Sequence, residues 1–378
     1  MTEANRKLKV VIFTASYGGG HNAVSSALVD AFKTYHPDEA EVEVIDYMKK
    51  FAAGRDSVLR ALYVKSTLYC PWTYSVFFYL SDKLFANRIG RKFGLIGGKG
   101  AQEFIETQKP DIIISVYPTP GQVLPDLDLK HRPLLATLVT DFGAHAQWIN
   151  PKTDLFLVTS QNVKDFLMTT RNIKDENVKV TGIPIRLVYS RQLDVAALRK
   201  KFNLKYDFSL LMMANGQTWN DIKSICTKLL ELPIHIIALC GKDEELINKV
   251  KELGKGTDKI ITFGMAKDID ELMRAGDVLI SKAGGITVSE ALACSLPIIM
   301  YRPYPGQEFY NRDYLLEHKA GFLANKPQDV YEQVKSICQN KNLLNEVKEN
   351  SKRLSHADAA QQVSNILIEE HRKRFQLK

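Results

Sequence analysis

Short, nearly unbroken apolar runs recur along the chain, separated by longer stretches of helical periodicity. In the first half these runs are LKVVIFTA, VEVIDYM, DIIISVY, PLLATLVT, DLFLVTS and VKVTGI. In the second half they are FSLLMMAN, IHIIALCG, KIITFGM, DVLISKA and PIIMY. A strand that is apolar at successive positions is buried on both faces, which predicts parallel sheets covered by helices on either side. The pattern therefore predicts an α/β chain of two Rossmann-like, doubly wound domains. The polar stretch after TGIPIR, around residues 186–205, predicts the join, placing one domain at 1–190 and the other at 191–378. The last helical segment, AAQQVSNILIEEHRKRFQLK, suits either domain and can cross back onto the first. Such sheets bind ligands beyond the carboxyl ends of their strands, so two facing sheets are expected to line a central cleft.

Composition adds limits. A chain of 378 residues, with 45% hydrophobic and 25% charged positions, is long enough for two cores and ordinary for a globular protein. A formal net charge of +8 favours anionic partners such as nucleotide phosphates, lipid headgroups or nucleic acid. The five cysteines are scattered and form no CxxC pair, which predicts reduced thiols in a cytosol rather than a disulfide framework or a thiolate zinc site. The eight histidines have no ligand spacing, and the D-x-D of DLDLK lies in a proline-flanked loop, so no metal is expected. The apolar run before the first glycines is too short for a signal peptide. The longest uncharged stretch, Ser66–Ser81, has 16 residues and contains Pro71, short of the roughly 20 that span a bilayer.

Two loops carry candidate chemistry. In FTASYGGGHNAVSSAL, Gly18, Gly20 and Ala23 fit a relaxed G-x-G-x-x-A pattern, and Asp46 lies 23 residues beyond Ala23. That supports an NAD-dependent oxidoreductase as one reading. The same loop serves any phosphate at a helix N-terminus, where free N–H groups and the positive dipole end face an anion. His21 favours the broader reading, because a near-neutral imidazole at a cleft rim can take a proton from a hydroxyl. The second loop lies in residues 277–315, where SKAGG ends a strand and a helix begins at Ile286 or Thr287. The N–H groups of Gly285, Ile286 and Thr287 predict another anion site, and Glu290, one turn in, can accept both hydroxyls of a ribose. In PGQEFYN, the amide of Gln307 beside the carboxylate of Glu308 matches the alternating donors and acceptors of a sugar, with Asn311 following.

GGGH, VTDFGAHAQW, TGIPIR, SKAGGITVSEALA and PGQEFYN, in this order from about residue 8 to 360, resemble the monogalactosyl- and glucosyl-diacylglycerol synthases of glycosyltransferase family 28. The likeness is strongest to the processive diacylglycerol glucosyltransferases of Gram-positive bacteria. It implies the glycosyltransferase B fold, an inverting mechanism with no essential metal or cofactor, and a UDP-hexose donor held mainly by the C-terminal domain. Glucose is the expected hexose, and diacylglycerol or its glycolipid product the acceptor. Transfer of galactose or N-acetylglucosamine to another lipid is the alternative.

The resemblance also implies roles. Gly19, Gly20 and His21 would face the diphosphate and the reacting centre, with Gly284, Gly285 and Thr287 on the diphosphate and Glu290 on the ribose. Gln307 and Glu308 would bind the hexose, Phe263, Gly264 and Met265 would frame the uracil, and Arg186 would sit near the phosphates. Asn215 and Gly216 would supply a permissive backbone in MANGQTWND, which stands where the family has a small-residue turn. His21 is the candidate base, and Asp141 and His145 are rivals that would line the acceptor site.

Residues 57–94 interrupt the α/β alternation and set Tyr63, Trp72, Phe77, Phe78 and Phe85 beside Lys83, Arg88, Arg91 and Lys92. Aromatics next to cations suit an anionic bilayer interface, and predict a peripheral protein on the cytoplasmic face of the cell membrane. Two other readings explain less. The oxidoreductase has no use for the second anion loop or PGQE. A basic nucleic-acid binder leaves His21 unexplained and shows no recognised module, so no nucleic acid partner is expected.

Overall fold

The computed structural model describes residues 6–17, 19–54, 78, 80–82 and 96–376. Most of the predicted membrane-facing segment, 57–94, and Gly18 lie outside the described residues. The chain divides into two compact units, one of residues 1–187 with 305–310 and 358–378, the other of residues 188–304 with 311–357.

In the first unit the chain runs β1 (Leu8–Thr14), α1 (Gly20–Tyr35), β2 (Ala40–Asp46), α2 (Tyr47–Phe51), α3 (Gly98–Gln108), β3 (Ile112–Ser115), α4 (Pro118–Val123), β4 (Leu134–Leu138), β5 (Leu155–Val158), α5 (Gln161–Arg171) and β6 (Val178–Val180). The strands form one parallel sheet in the order β2-β1-β3-β4-β5-β6. Its central strands, β3, β4 and β5, are buried at every position, as their unbroken apolar runs predict. β2, at the edge, alternates and is largely exposed. One core cluster on this sheet joins Phe13, Ile45, Tyr47 and Ile105, and another joins Phe156, Trp148 and Leu167. Each such fully buried side chain stabilises by about 1.5–3 kcal/mol.

In the second unit the order is α6 (Val195–Lys201), β7 (Phe208–Met213), α7 (Trp219–Leu229), β8 (Ile234–Leu239), α8 (Glu244–Leu253), β9 (Ile260–Phe263), α9 (Ile269–Ala275), β10 (Val278–Ser281), α10 (Gly285–Ala293), β11 (Ile298–Tyr301), α11 (Gln307–Glu317, of which residues 307–310 fall in the first unit), β12 (Gly321–Ala324), α12 (Pro327–Gln339) and α13 (Lys341–Arg353). Its sheet is also parallel, in the order β12-β11-β10-β7-β8-β9. A core of Leu210, Met212, Ile236, Ala238, Ile280 and Val334 lies on one face. α7 is capped by Thr218, whose Oγ1 accepts from Asp221 N, and α8 by Asp243, which accepts from Leu246 N.

All eleven apolar runs form strands. β12 was not among them, for a physical reason: at four residues, GFLA is an edge strand, half-buried at three positions and opened by a glycine, so it carries no periodic signal. The last helix, α14 (Ala359–Gln376), belongs to the first unit. Ala360 packs there against Ala27 and Ala31 of α1, small residues that let the helices approach closely. The His36 ring meets Asn365 Oδ1 at 2.8 Å, and Arg372 pairs with Glu39. Among the described residues no helix is long and apolar enough to cross a membrane, and no cluster of three or more His, Cys, Asp or Glu is placed to hold a metal.

Candidate active site

Each sheet has one topological switch point, where successive crossovers leave in opposite directions and the strand-end loops part to leave a crevice. In the first unit it lies between β1 and β3. Gly19 and Gly20 follow β1 and open α1, and His21 is the second residue of that helix. Among the described residues, a β-carbon on Gly19 would meet no atom within 4 Å, which leaves the backbone there room for a ligand.

His21 is walled by aromatic rings. Its centroid is 5.4 Å from Tyr117, which follows β3 and meets it edge-on, and 6.2 Å from Trp148. Tyr17 stacks on Tyr117 with ring planes 9° apart. This apolar setting penalises the imidazolium and lowers the His21 pKa from 6.5 to about 4, only partly opposed by the Val116 carbonyl. His21 Nδ1 is buried and has no hydrogen-bond partner among the described residues. The ring is thus neutral at pH 7, the form that accepts a proton.

The rival residues are engaged differently. His145 is buried and opens a 3-10 turn, its Nδ1 accepting from Gln147 N at 3.1 Å. Nε2 lies 2.9 Å from the Phe78 carbonyl, 3.3 Å from Ser81 Oγ and 3.8 Å from Asp82. Since Nδ1 accepts, Nε2 carries the proton and donates, which leaves no lone pair for a substrate. Asp141 is half-buried, and its backbone carbonyl accepts from Thr159 Oγ1 at 2.9 Å. Arg186 is half-buried, next to the end of the first unit. Asp46, the ribose ligand of the oxidoreductase reading, caps α2: it accepts from Lys49 N and from Ser16 N and Oγ. Burial would raise its pKa, but those bonds and the Lys49 ammonium outweigh it and hold the carboxyl below its ordinary value. Its acceptors are thus used in holding the glycine loop.

In the second unit the switch point lies between β7 and β10. Asn215 and Gly216 follow β7, Gly241 follows β8, Gly264 follows β9, and Lys282 to Gly285 follow β10. These loops converge. A β-carbon on Gly241 would come 3.1 Å from Asn215 Nδ2, one on Gly264 3.4 Å from the Gly241 carbonyl, and one on Gly216 3.7 Å from Lys282 Nζ. Gly216 has φ +86°, a conformation that L side chains resist.

Gly284 N donates to the Lys282 carbonyl at 2.9 Å, closing a tight turn, and Gly284 caps α10, which starts one residue before the expected Ile286. The first N–H groups of a helix have no intrahelical acceptor; in α10 these are the groups of Gly285, Ile286 and Thr287, and Gly284 supplies no side-chain cap. A β-carbon on Gly284 meets nothing within 4 Å among the described residues. Thr287 and Glu290, three residues apart, share one face of α10, and both are half-buried.

Phe263 ends β9 with its carbonyl accepting from Cys240 N at 2.8 Å, so that group serves the sheet, while Met265 is 66% exposed. Gln307 and Glu308 open α11 and are half-buried. Asn311 on the same helix is fully buried and donates from Nδ2 to the Ala283 carbonyl at 2.7 Å. It therefore holds the turn that presents Gly284.

Four residues at these switch points escaped the sequence reading. Tyr17, Tyr117 and Trp148 come together from three separate strand ends, and no spacing reveals that. Lys282 lies inside the quoted SKAGG, and its signal was simply its place at a strand end.

Two parallel doubly wound units with glycine loops at both switch points define the glycosyltransferase B fold. MurG of Acinetobacter baumannii shares it with a TM-score of 0.62 at 14% identity, over 96% of this chain and 100% of that one. The Anabaena protein HepE, solved with UDP and glucose, matches at 0.54 and 16% identity, over 96% and 100%. The family model of monogalactosyldiacylglycerol (MGDG) synthase matches residues 21–185, and that of the glycosyltransferase family 28 C-terminal domain matches residues 217–363. A processive diacylglycerol beta-glucosyltransferase of Bacillus pumilus is 30% identical over 97% of this chain and 96% of its own length. The chain belongs to glycosyltransferase family 28, in the group of MGDG synthases and processive diacylglycerol beta-glucosyltransferases.

Proposed function

We propose that this protein transfers glucose, with inversion, from UDP-glucose to diacylglycerol and then to the glycolipid so formed. The donor is bound as follows: the N–H groups opening α10 take the diphosphate, Glu290 the ribose, and Gln307 and Glu308 the hexose. His21 takes the proton of the acceptor hydroxyl as its oxygen bonds to the anomeric carbon. The carbon's bond to the diphosphate oxygen breaks, and the electron pair leaves with UDP. Attack from the face opposite the leaving group turns an α-linked donor into a β-linked product.

The observation that carries this reading is the neutral His21, whose Nδ1 has no hydrogen-bond partner among the described residues, at a switch point where Gly19 is open to a ligand among those residues. An oxidoreductase is disfavoured because Asp46, its ribose ligand, is spent on Ser16 and Lys49. The test is product analysis. Diacylglycerol with UDP-glucose is expected to give mono- and then diglucosyl lipid, with UDP-galactose at least tenfold slower. Equal rates with both donors, or no lipid product, overturn the assignment.

The acceptor is met at a membrane surface. The cationic and aromatic sequence of residues 57–94 supports docking on anionic headgroups, each nearby Lys or Arg contributing about 1 kcal/mol. The unpaired thiols of Cys226, Cys240, Cys294 and Cys338 suit the reducing cytoplasmic side. Vesicles with a third anionic lipid are expected to bind the protein in co-sedimentation, and neutral vesicles to release it. Changing Lys83, Arg88, Arg91 and Lys92 together to Ser is expected to weaken binding at least tenfold. Binding that survives this change removes the segment from the membrane role.

A further inference from the structure

The first turn of a helix makes few hydrogen bonds of its own, so packing decides where it lies. In α11 that turn carries Gln307 and Glu308, and Tyr310, three residues after Gln307, shares a face with it. Tyr310 lies against the bare backbone of Gly143: a β-carbon there would come 2.4 Å from Tyr310 Cγ and 2.7 Å from its Cβ. The φ of Gly143 is outside the left-handed region, so glycine is needed for this approach and not for the turn. Phe78, from the aromatic stretch 57–94, is buried and stands 6.0 Å from the Tyr310 ring at 54°. Phe78 is fixed in turn. Its ring is 4.4 Å from that of His145, and its carbonyl accepts from His145 Nε2 at 2.9 Å and from Ser81 Oγ at 2.8 Å. Trp148, which walls His21, donates its N–H to the His145 carbonyl at 2.9 Å. Residues 143–148 thus carry the seat of Tyr310 at one end and a wall of the candidate base at the other. All of these residues belong to the first unit, as do Gln307 and Glu308.

We propose that Tyr310, seated on Gly143 and Phe78, is a positioning residue that sets Gln307 and Glu308 in register with His21. This rests on the reading above, in which that pair binds the hexose and His21 is the base. The pair fixes where the anomeric carbon stands, and the base must meet the hydroxyl that attacks it. A displacement of about 1 Å between such groups costs about 100-fold in rate. The same displacement blurs the choice between an equatorial and an axial hydroxyl of the donor sugar, so selectivity depends on Tyr310 as well as rate.

The experiment measures kcat and KM of the full-length protein with UDP-glucose and UDP-galactose, and UDP affinity alongside. Tyr310→Ala is expected to lower kcat with UDP-glucose about 100-fold. Its preference for glucose over galactose is expected to fall at least fivefold, while UDP, which has no hexose, binds within about threefold of native. A merely structural loss slows both donors alike and leaves that preference unmoved. Gly143→Ala pushes the ring off its seat and is expected to give the same pattern; it serves as the second variant if Tyr310→Ala does not fold. Because the added methyl meets only that ring, the double variant Gly143→Ala/Tyr310→Ala is expected to stay within about twofold of Tyr310→Ala. Tyr310→Phe keeps the ring and is expected to recover kcat to within about threefold of native. Native kcat in Tyr310→Ala, an unchanged donor preference, additive losses in the double variant, or Tyr310→Phe as slow as Tyr310→Ala each overturn the inference. Gln307→Ala separates the two readings. If it is slow and unselective while Tyr310→Ala is native, the hexose reading stands and the inference fails; if Gln307→Ala keeps native rate and preference, both fall.

Discussion

His21→Ala is expected to lower turnover by about 10²–10⁴-fold, the range for removal of a general acid–base group, with donor KM changed less than about threefold. The same change is expected to leave thermal stability within about 1 kcal/mol. Removing the ring loses packing against Tyr117 and Trp148, but it also removes a buried Nδ1 that has no partner, and such a group costs about 1–3 kcal/mol. A structural histidine behaves in the opposite way, as His145 does with its two nitrogens bonded to Gln147 and Phe78. Its loss is expected in the melting curve before it shows in the rate. Turnover by His21→Ala close to native removes the base from His21.

The His21 pKa adds a pH signature. Burial holds it near 4 in the folded protein, against 6.5 in the open chain. Between those values the unfolded chain binds more protons, so this residue's share of stability falls as pH drops from 6.5 towards 4 and is fully present above 6.5. His21→Ala is therefore expected to resist acid better than the native protein, seen as a shallower fall of the melting temperature between pH 6.5 and 4.5. Native kcat/KM is expected to stay level down to about pH 5, where an ordinary histidine base would already be mostly protonated. A kinetic acid limb centred at 6.5 overturns the buried-base assignment.

The fold was legible because a parallel strand buried on both faces leaves an apolar run that nothing else in the chain imitates. Ile112–Ser115 and Ile234–Leu239 are buried at every position, and both stand out in the sequence. β12 was not legible, since an edge strand buries less and GFLA reads like a turn. The glycine loops were legible because tight turns and open helix N-termini restrict which residues fit. What the sequence could not yield was convergence. Tyr17 and Tyr117 are 100 positions apart and stack only because β1 and β3 are neighbours in the sheet. Gly216 and Lys282 meet for the same reason, through β7 and β10. The engagement of His145 was equally hidden, because its acceptor Phe78 lies 67 residues away. The local chemistry of each loop can be read along the chain, whereas its partners are set by strand order.

Asn311→Asp tests the other half of the machinery. Asn311 is fully buried and donates to the Ala283 carbonyl, fixing the turn from which Gly284 and the first N–H groups of α10 are presented. Aspartate keeps the shape but replaces the donor with a carboxylate oxygen facing that carbonyl. Stability is expected to fall by about 3 kcal/mol at pH 7.5, the cost of a buried charged group without its partner. Donor KM is expected to rise at least tenfold as the turn shifts. The new carboxyl can donate again once protonated, and burial beside a carbonyl raises its folded pKa above the unfolded 3.9. In that window the folded state holds more protons, so the variant's deficit shrinks as pH falls towards 4 and grows as pH rises. The measurement is urea unfolding of both proteins at pH 4.5 and 7.5, with UDP affinity alongside. A deficit that does not change with pH places the loss in packing rather than in this hydrogen bond, and unchanged UDP affinity frees the α10 N-terminus from dependence on Asn311.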